Sequence, residues 1–237
     1  MTPEEPPTFP PLLRGEETLP GTDPFAKAVA SAALGTDPGL VCWARDETRL
    51  SAALVLAPEV PLERAIGVAF AVALGLGDAI GALAPPEVAV HYLWPATFKI
   101  NGADCGAMRA AASTTDPAAV PDWLVIGVEM PYQRPDPDED PGRRPDQTCL
   151  IEEGCIEVTP LRLLESWSRH TLAWISRFLD DGLRPLHTAW CERAWGMGEE
   201  LPGGGTFAGI DEFGGMLVKT DRSTELRQLT AMLEDLS

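Results

Sequence analysis

The sequence predicts an α+β fold: a mixed β-sheet with helices packed on one face, followed by a small barrel-like β unit. Three observations point to it. Asn101-Gly102 lies between two strand-like runs, and that dipeptide supplies the positive φ a two-residue hairpin turn needs at both central positions. Two stretches, Pro61 to Leu83 and Pro160 to Gly182, are long enough and suitably patterned for helices. Beyond Pro202-Gly-Gly-Gly205 the composition shifts to short runs separated by turn residues.

Taken in order, residues 1–20 are rich in Pro and Glu and read as an extended arm. Asp23 is placed to cap a helix from Pro24 to Leu34, because an N-cap carboxylate accepts a free backbone N–H and proline tolerates the first turn. Gly39 to Ala44 and Leu50 to Ala57 read as buried strands, and the helix from Pro61 is rich in Ala and Gly, which suits close packing on a sheet. Val88 to Leu93, the hairpin 96–112 and the strand 122–128 follow. Residues 133–148 form a Pro- and Asp-rich loop expected to be mobile, and Cys149 to Glu157 suggests a further hairpin about Glu153-Gly154. The helix from Thr159-Pro160 aligns Leu161, Leu164, Trp167, Thr171, Trp174, Ile175 and Phe178 near one face and stops at Gly182. A second helix over 184–195 carries Trp190 and Trp195; short strands about 206–210, 215–219 and 223–230 and a terminal helix complete the chain. This gives three segments: an arm (1–20), a main domain (21–182) and a small C-terminal unit (183–237).

Composition narrows the function. Across 237 residues, 36 acidic residues outnumber 18 basic ones for a net charge of −18, and such a surface repels polyphosphate, so nucleic acid is not an expected partner. The five cysteines form no CxxC pair and leave one odd, which argues against a disulfide scaffold or a structural zinc site. No metal-ligand spacing appears among the acids, Glu152-Glu153 and Asp136 to Asp140 reading as solvated charge, and the three histidines, His91, His170 and His187, are scattered. The N-terminus lacks signal-peptide character, and the apolar run Ala65 to Gly77 is short for a bilayer. No membrane association and a cytoplasmic location are therefore expected, with a homodimer permitted.

A series of segments, in order, resembles the biotin and lipoate protein ligases: the strand pair Gly39 to Pro61, Leu93-Trp94-Pro95, the Asn-Gly hairpin, the strand Trp123 to Gly127, Asp181-Gly-Leu-Arg-Pro185 with Trp190, and Phe207-Ala-Gly-Ile-Asp211 to Leu217. The resemblance implies the catalytic fold of that family with a small C-terminal domain. It also implies a chemistry in which biotin, lipoate or octanoate is joined to ATP and the acyl group passes to a lysine of a biotinyl or lipoyl carrier domain. Family members with an N-terminal winged helix act as repressors; the segment before residue 40 is too short for one, so that role is not among the expectations.

The chain departs from the family where nucleotide is handled. The arginine-and-glycine loop corresponds to Arg45-Asp46-Glu47-Thr48-Arg49, which has no glycine. Ala96-Thr97 replaces Asn-Asp after Trp94-Pro95, and the strand end carries Gly127 and Glu129. The family's Ser-Thr is matched only by Gly21-Thr22-Asp23, and its lysine falls on Asp104. With a two-residue turn, Lys99 pairs across the hairpin with Asp104, about 5 Å apart on one face. Lys99 is then either a relocated active-site lysine or half of an ordinary ion pair. Cys105 is either a nucleophile activated by Lys99 or a buried inert thiol. The candidate catalytic residues are thus Lys99 and Cys105, and the candidate ligand-binding residues Thr22, Asp23, Arg45, Arg49, Trp94, Asp104, Gly106, Gly127 and Glu129. Trp94 and Tyr92 fit a pocket wall and a plain core equally. The function expected is a ligase-like acyl transferase that has lost most of its ATP-handling residues; alternatives are an inactive relative binding a small carboxylate or a carrier protein, and an interaction module presenting its acidic face.

Overall fold

The computed structural model describes residues 5–136 and 141–235. Its first helix, α1 (Pro24–Ala33), starts as expected: the Asp23 carboxylate accepts the Phe25 N–H at 3.0 Å, and Pro24 occupies the first turn, where no N–H is needed. Seven strands form the main sheet: β1 (Arg14–Glu17), β2 (Leu40–Trp43), β3 (Arg49–Leu56), β4 (Val90–Leu93), β5 (Thr97–Ile100), β6 (Ala103–Ala112) and β7 (Leu124–Pro131). Their spatial order is β1-β2-β3-β7-β6-β5-β4. The sheet is mixed because β1 runs parallel to β2 while the other neighbours are antiparallel. Part of the N-terminal arm is therefore an edge strand.

Helices cover both faces, not one. On one side Phe25, Ala28 and Ala32 of α1 pack on Leu40, Cys42, Ala53, Val55, Ala111 and Val125. On the other lie α2 (Leu62–Ala65), α3 (Val68–Leu83), α4 (Pro160–Asp181) and α5 (Arg184–Cys191). These helices bury Val41, Trp43, Leu54 and Ile126 among others. The central strands are consequently apolar at consecutive positions, and period-2 alternation, the usual sign of a single buried face, is missing from them.

The stretch 62–83 breaks into α2 and α3 at Ile66-Gly67. It is apolar and long enough to cross a bilayer, but most of it is enclosed by protein. Its small residues set the distance to α4: a Cβ on Gly75 would stand 2.2 Å from Thr171 Oγ1 and 2.7 Å from the Thr171 backbone. Asp78 accepts hydrogen bonds from Trp174 Nε1 at 2.8 Å and Arg193 Nη1 at 3.0 Å, joining α3, α4 and the segment after α5.

Three expected elements differ. Cys149 to Glu157 forms successive turns instead of a hairpin, because Leu150 and Ile151 donate to Pro131 O and Tyr132 O and the segment buries Cys149, Leu150 and Cys155 beneath the end of β7. The second helix ends at Cys191, since Arg193 and Trp195 bond to the backbone of Tyr92 at the edge of β4. At the C-terminus, β8 (Thr206–Ile210), β9 (Met216–Lys219) and β10 (Thr224–Arg227) make a three-stranded antiparallel sheet that does not close into a barrel, followed by a 3-10 turn, Leu229–Met232. Of the acidic loop, residues 137–140 lie outside the described residues; its later part returns to β6, Asp104 donating to Asp146 O and Thr148 to Asp104 O.

Beyond the 3-10 turn the chain reaches the main sheet again. Glu234 N–H donates to Ala110 O at 2.8 Å, on the edge of β6 left vacant where β5 has ended.

Replacing Gly75 with alanine should lower stability. Alanine gains up to about 1 kcal/mol in helix propensity, but forcing α3 away from the Thr171 backbone costs about 1–3 kcal/mol. Urea unfolding should show a reduced midpoint; a raised one would contradict the tight α3–α4 contact.

Candidate functional site

On the α1 face, a cavity of about 450 Å³ opens between the β1–α1 connection, the β2–β3 turn, the start of β3, the end of β7 and Arg109 within β6. Its position follows from one packing detail. Gly127 on β7 lies beneath Phe25, and a Cβ there would stand 2.7 Å from the Phe25 ring. The bare backbone lets the ring lie on the sheet and fixes the start of α1. Arg109, the register partner of Gly127 on β6, spreads its guanidinium 4.2 Å over the same ring.

Three guanidiniums and four carboxylates line the cavity. Arg45 is clamped by both oxygens of Glu17 at 2.9 Å. Arg49 reaches Glu129 at 3.0 Å and Asp46 at 3.2 Å. Arg109 donates through Nη1 to Asp23 at 2.7 Å and, by its forked Nε/Nη2 edge, to both oxygens of Glu234 at 2.5 and 3.0 Å. Thr18, Thr22 and Ser51 add hydroxyls to the lining.

Burial raises the Asp23 carboxyl, but the Arg109 hydrogen bond and the helix-cap bonds outweigh it and hold the pKa below the usual range. Asp46 shows the same balance, with burial opposed mainly by the hydroxyl and N–H of Thr48. The hydrogen bond to Glu234 raises the Arg109 pKa further above its ordinary value, against the pull of burial, with Asp23 adding to it.

Of the residues singled out from sequence, Thr22, Asp23, Arg45, Arg49 and Glu129 line this cavity together, and Gly127 lies under Phe25. Trp94, Lys99, Asp104, Cys105 and Gly106 are outside the lining. Trp94 Nε1 donates to Gly214 O at 3.0 Å and so docks the C-terminal sheet. Lys99 Nζ is 2.7 Å from Asp104 Oδ1, bonds Gly102 O at 3.2 Å and sits 5.3 Å from the Trp195 ring. Gly106 has φ +92°, and a Cβ there would meet Glu129 O at 2.2 Å, so its role is to let β6 approach β7.

Cys105 points to the other face of the sheet, fully buried, with Sγ 3.3 Å from Met130 Sδ. Burial pushes its thiol well above the ordinary range, and nearby Cys149 and Glu153 add to the shift. A nucleophile needs the opposite, an accessible thiolate. His187 contacts Ile210 O at 3.1 Å and His91 packs against Trp195. Among the described residues no group of three His, Cys, Asp or Glu is arranged for a metal.

Arg109 escaped the sequence reading. Its signal was a lone cation within the run Ala107-Met-Arg-Ala-Ala111, which in a half-buried strand calls for a partner.

The fold is that of the biotin and lipoate ligase catalytic domain. The family model of the biotin/lipoate A/B protein ligases matches residues 9–192, and the chain belongs to that family. Among solved structures it is 48% identical to a biotin protein ligase-like protein of unknown function from Silicibacter sp. TM1040, with a TM-score of 0.89 over 97% of this chain and 100% of that one. The biotin protein ligase of Aquifex aeolicus shares the fold at 16% identity, with a TM-score of 0.70 over 91% of this chain and 94% of that one. The Leishmania major enzyme in complex with biotinyl-5-AMP does so at 15% identity, with a TM-score of 0.57 over 92% of this chain and 98% of that one. No curated protein matches in sequence.

Two outcomes test this description. Because the Asp23 pKa is lower when folded, its contribution to stability is complete above the ordinary carboxylate value of 3.8 and is lost as pH falls through the lower folded value. Asp23→Asn keeps a capping group but removes the charge, so it should cost about 0.5–1 kcal/mol at pH 7 and flatten the acid limb of a stability–pH profile. An unchanged acid limb would contradict the Asp23–Arg109 pair. Iodoacetamide at neutral pH should reach the half-buried Cys191 before Cys105, with Cys105 alkylated only in denaturant; labelling in the folded protein at a model-thiol rate would contradict its burial.

Proposed function

We propose that this protein binds a small carboxylic acid in the cleft and does not adenylate it. The observation carrying this reading is the charge arrangement of the lining: each of Arg45, Arg49 and Arg109 is already paired with a cleft carboxylate. Adenylation needs cationic groups aimed at the charge that develops on the α-phosphate. A triphosphate entering here would face Glu17, Asp46 and Glu129, and every cation would have to give up a partner first. These residues do not fit ATP, and we derive no step through it.

A monocarboxylate makes a smaller demand. It needs one guanidinium fork and an apolar wall, and Leu19, Pro20, Pro24 and Ala44 border the same cavity. Biotin, lipoate and octanoate all have this form, a single carboxylate on a largely apolar body, and the Aquifex aeolicus ligase is known in complex with biotin. Transfer of an acyl group to a carrier-domain lysine would need an activated donor or a nucleophile at the cavity. Among the described residues lining it there is neither lysine nor cysteine. The five free cysteines accord with a reducing compartment, and we place the protein in the cytoplasm.

Thermal-shift titration with octanoate, lipoate and biotin tests the reading. At least one acid should raise the melting temperature, and Arg109→Met should weaken that acid about tenfold or more, the scale of a hydrogen-bonded charge. Acid-dependent exchange of pyrophosphate into ATP would overturn the proposal, as would no response to any of the three acids.

A further inference from the structure

The three cleft arginines differ in where their partners come from. Glu17 lies on β1, Glu129 on β7 and Asp46 in the β2–β3 turn, all parts of the main sheet or its connections. Glu234 comes from beyond the C-terminal sheet. It takes the Nε/Nη2 edge of Arg109, one of the edges by which a guanidinium grips a carboxylate at two points. Asp23 occupies only Nη1. A second carboxylate can take the Nε/Nη2 edge only by displacing Glu234.

The hold on Glu234 is local. Leu229 and Met232 anchor the 3-10 turn in the core, while Leu233 and Glu234 are only part-buried. The segment meets β6 through the Ala110–Leu233 bridge and the Glu234 N–H bond to Ala110 O. The Arg109 and Glu234 side chains are 39% and 37% exposed, so water and salt weaken their attraction. The pair is strong enough to order the arginine and weak enough to be exchanged.

We propose that Glu234 is an internal stand-in for the ligand: its carboxylate occupies the fork of Arg109, shields it from external reagents, and must leave before a carboxylic acid can dock there. This rests on the acid-binding reading of the cleft only for the identity of the competitor. No covalent step is involved; one carboxylate replaces another on the same two N–H donors.

The test compares the full-length protein with Glu234→Gln, a variant of nearly the same shape that keeps the backbone bond to Ala110, its folding checked by circular dichroism. Two measurements are made: octanoate affinity by calorimetry, and the rate at which phenylglyoxal modifies Arg109, followed by peptide mass spectrometry with Arg45 and Arg49 as internal references. Glu234→Gln should bind octanoate about three- to tenfold more tightly, as expected for loss of one part-exposed charged competitor. Arg109 should be modified several-fold faster, with Arg45 and Arg49 unchanged. Adding Arg109→Met should abolish the effect of Glu234→Gln on octanoate, because the two residues act through one contact. Faster Arg109 modification with none of octanoate, lipoate and biotin bound by either protein supports the shielding role and overturns the acid-binding reading instead. Equal octanoate affinities for the two proteins overturn the stand-in role while leaving acid binding intact. Equal modification rates overturn it whatever binds.

Discussion

The seat of Phe25 on Gly127 is the contact on which the cleft depends. It brings the first turn of α1 down onto the sheet, which places Asp23 beside Arg109 and stretches the β1–α1 connection across the cavity. Arg109 then lies over the same ring and reaches the C-terminal segment. A helix start, a central strand and the chain beyond the small sheet are thus tied at one point. Any side chain at position 127 would push the ring away and separate all three.

Paired charges give the cleft its character. The lining holds more carboxylates than guanidiniums, and each arginine is engaged within the protein. Paired charges of this kind near a surface add little to stability. Their effect is to order the side chains in advance and to set what an incoming ligand has to displace. On the acid-binding reading proposed above, an anion with one carboxylate displaces only Glu234, whereas a triphosphate would have to dismantle the arrangement. The short β2–β3 turn is fixed by Asp46 accepting from the N–H and hydroxyl of Thr48.

Much of the fold was legible in the sequence because its signals are local. Asp23-Pro24 marks a helix start, Asn101-Gly102 a two-residue turn that pairs Lys99 with Asp104, and Gly182, at φ +71°, a helix stop. Where the signal depended on tertiary surroundings it failed. Cys149 to Glu157 places apolar residues on both sides of Glu153-Gly154, as a hairpin does, but Cys149, Leu150 and Cys155 fill space under β7 instead. The 184–195 helix ends early because β4 recruits the residues after Cys191. The two-sided covering of the sheet was hidden because consecutive apolar residues on β2 and β3 carry no facing information. Five candidate binding residues do meet at one cavity, since the order of segments fixes which loops share a sheet end. Arg109 and its partner Glu234 were not legible as a pair: 125 residues separate them, and nothing local to either position announces the other.

The most direct measurement is a crystal structure of the protein grown with ATP together with whichever of octanoate, lipoate and biotin raises its melting temperature. The account predicts that acid alone in the cleft, its carboxylate on the Nε/Nη2 edge of Arg109 and Glu234 displaced from it. Nucleotide or an acyl-adenylate in the cavity, with Arg45 and Arg49 turned from Glu17 and Glu129 onto phosphate, would contradict it.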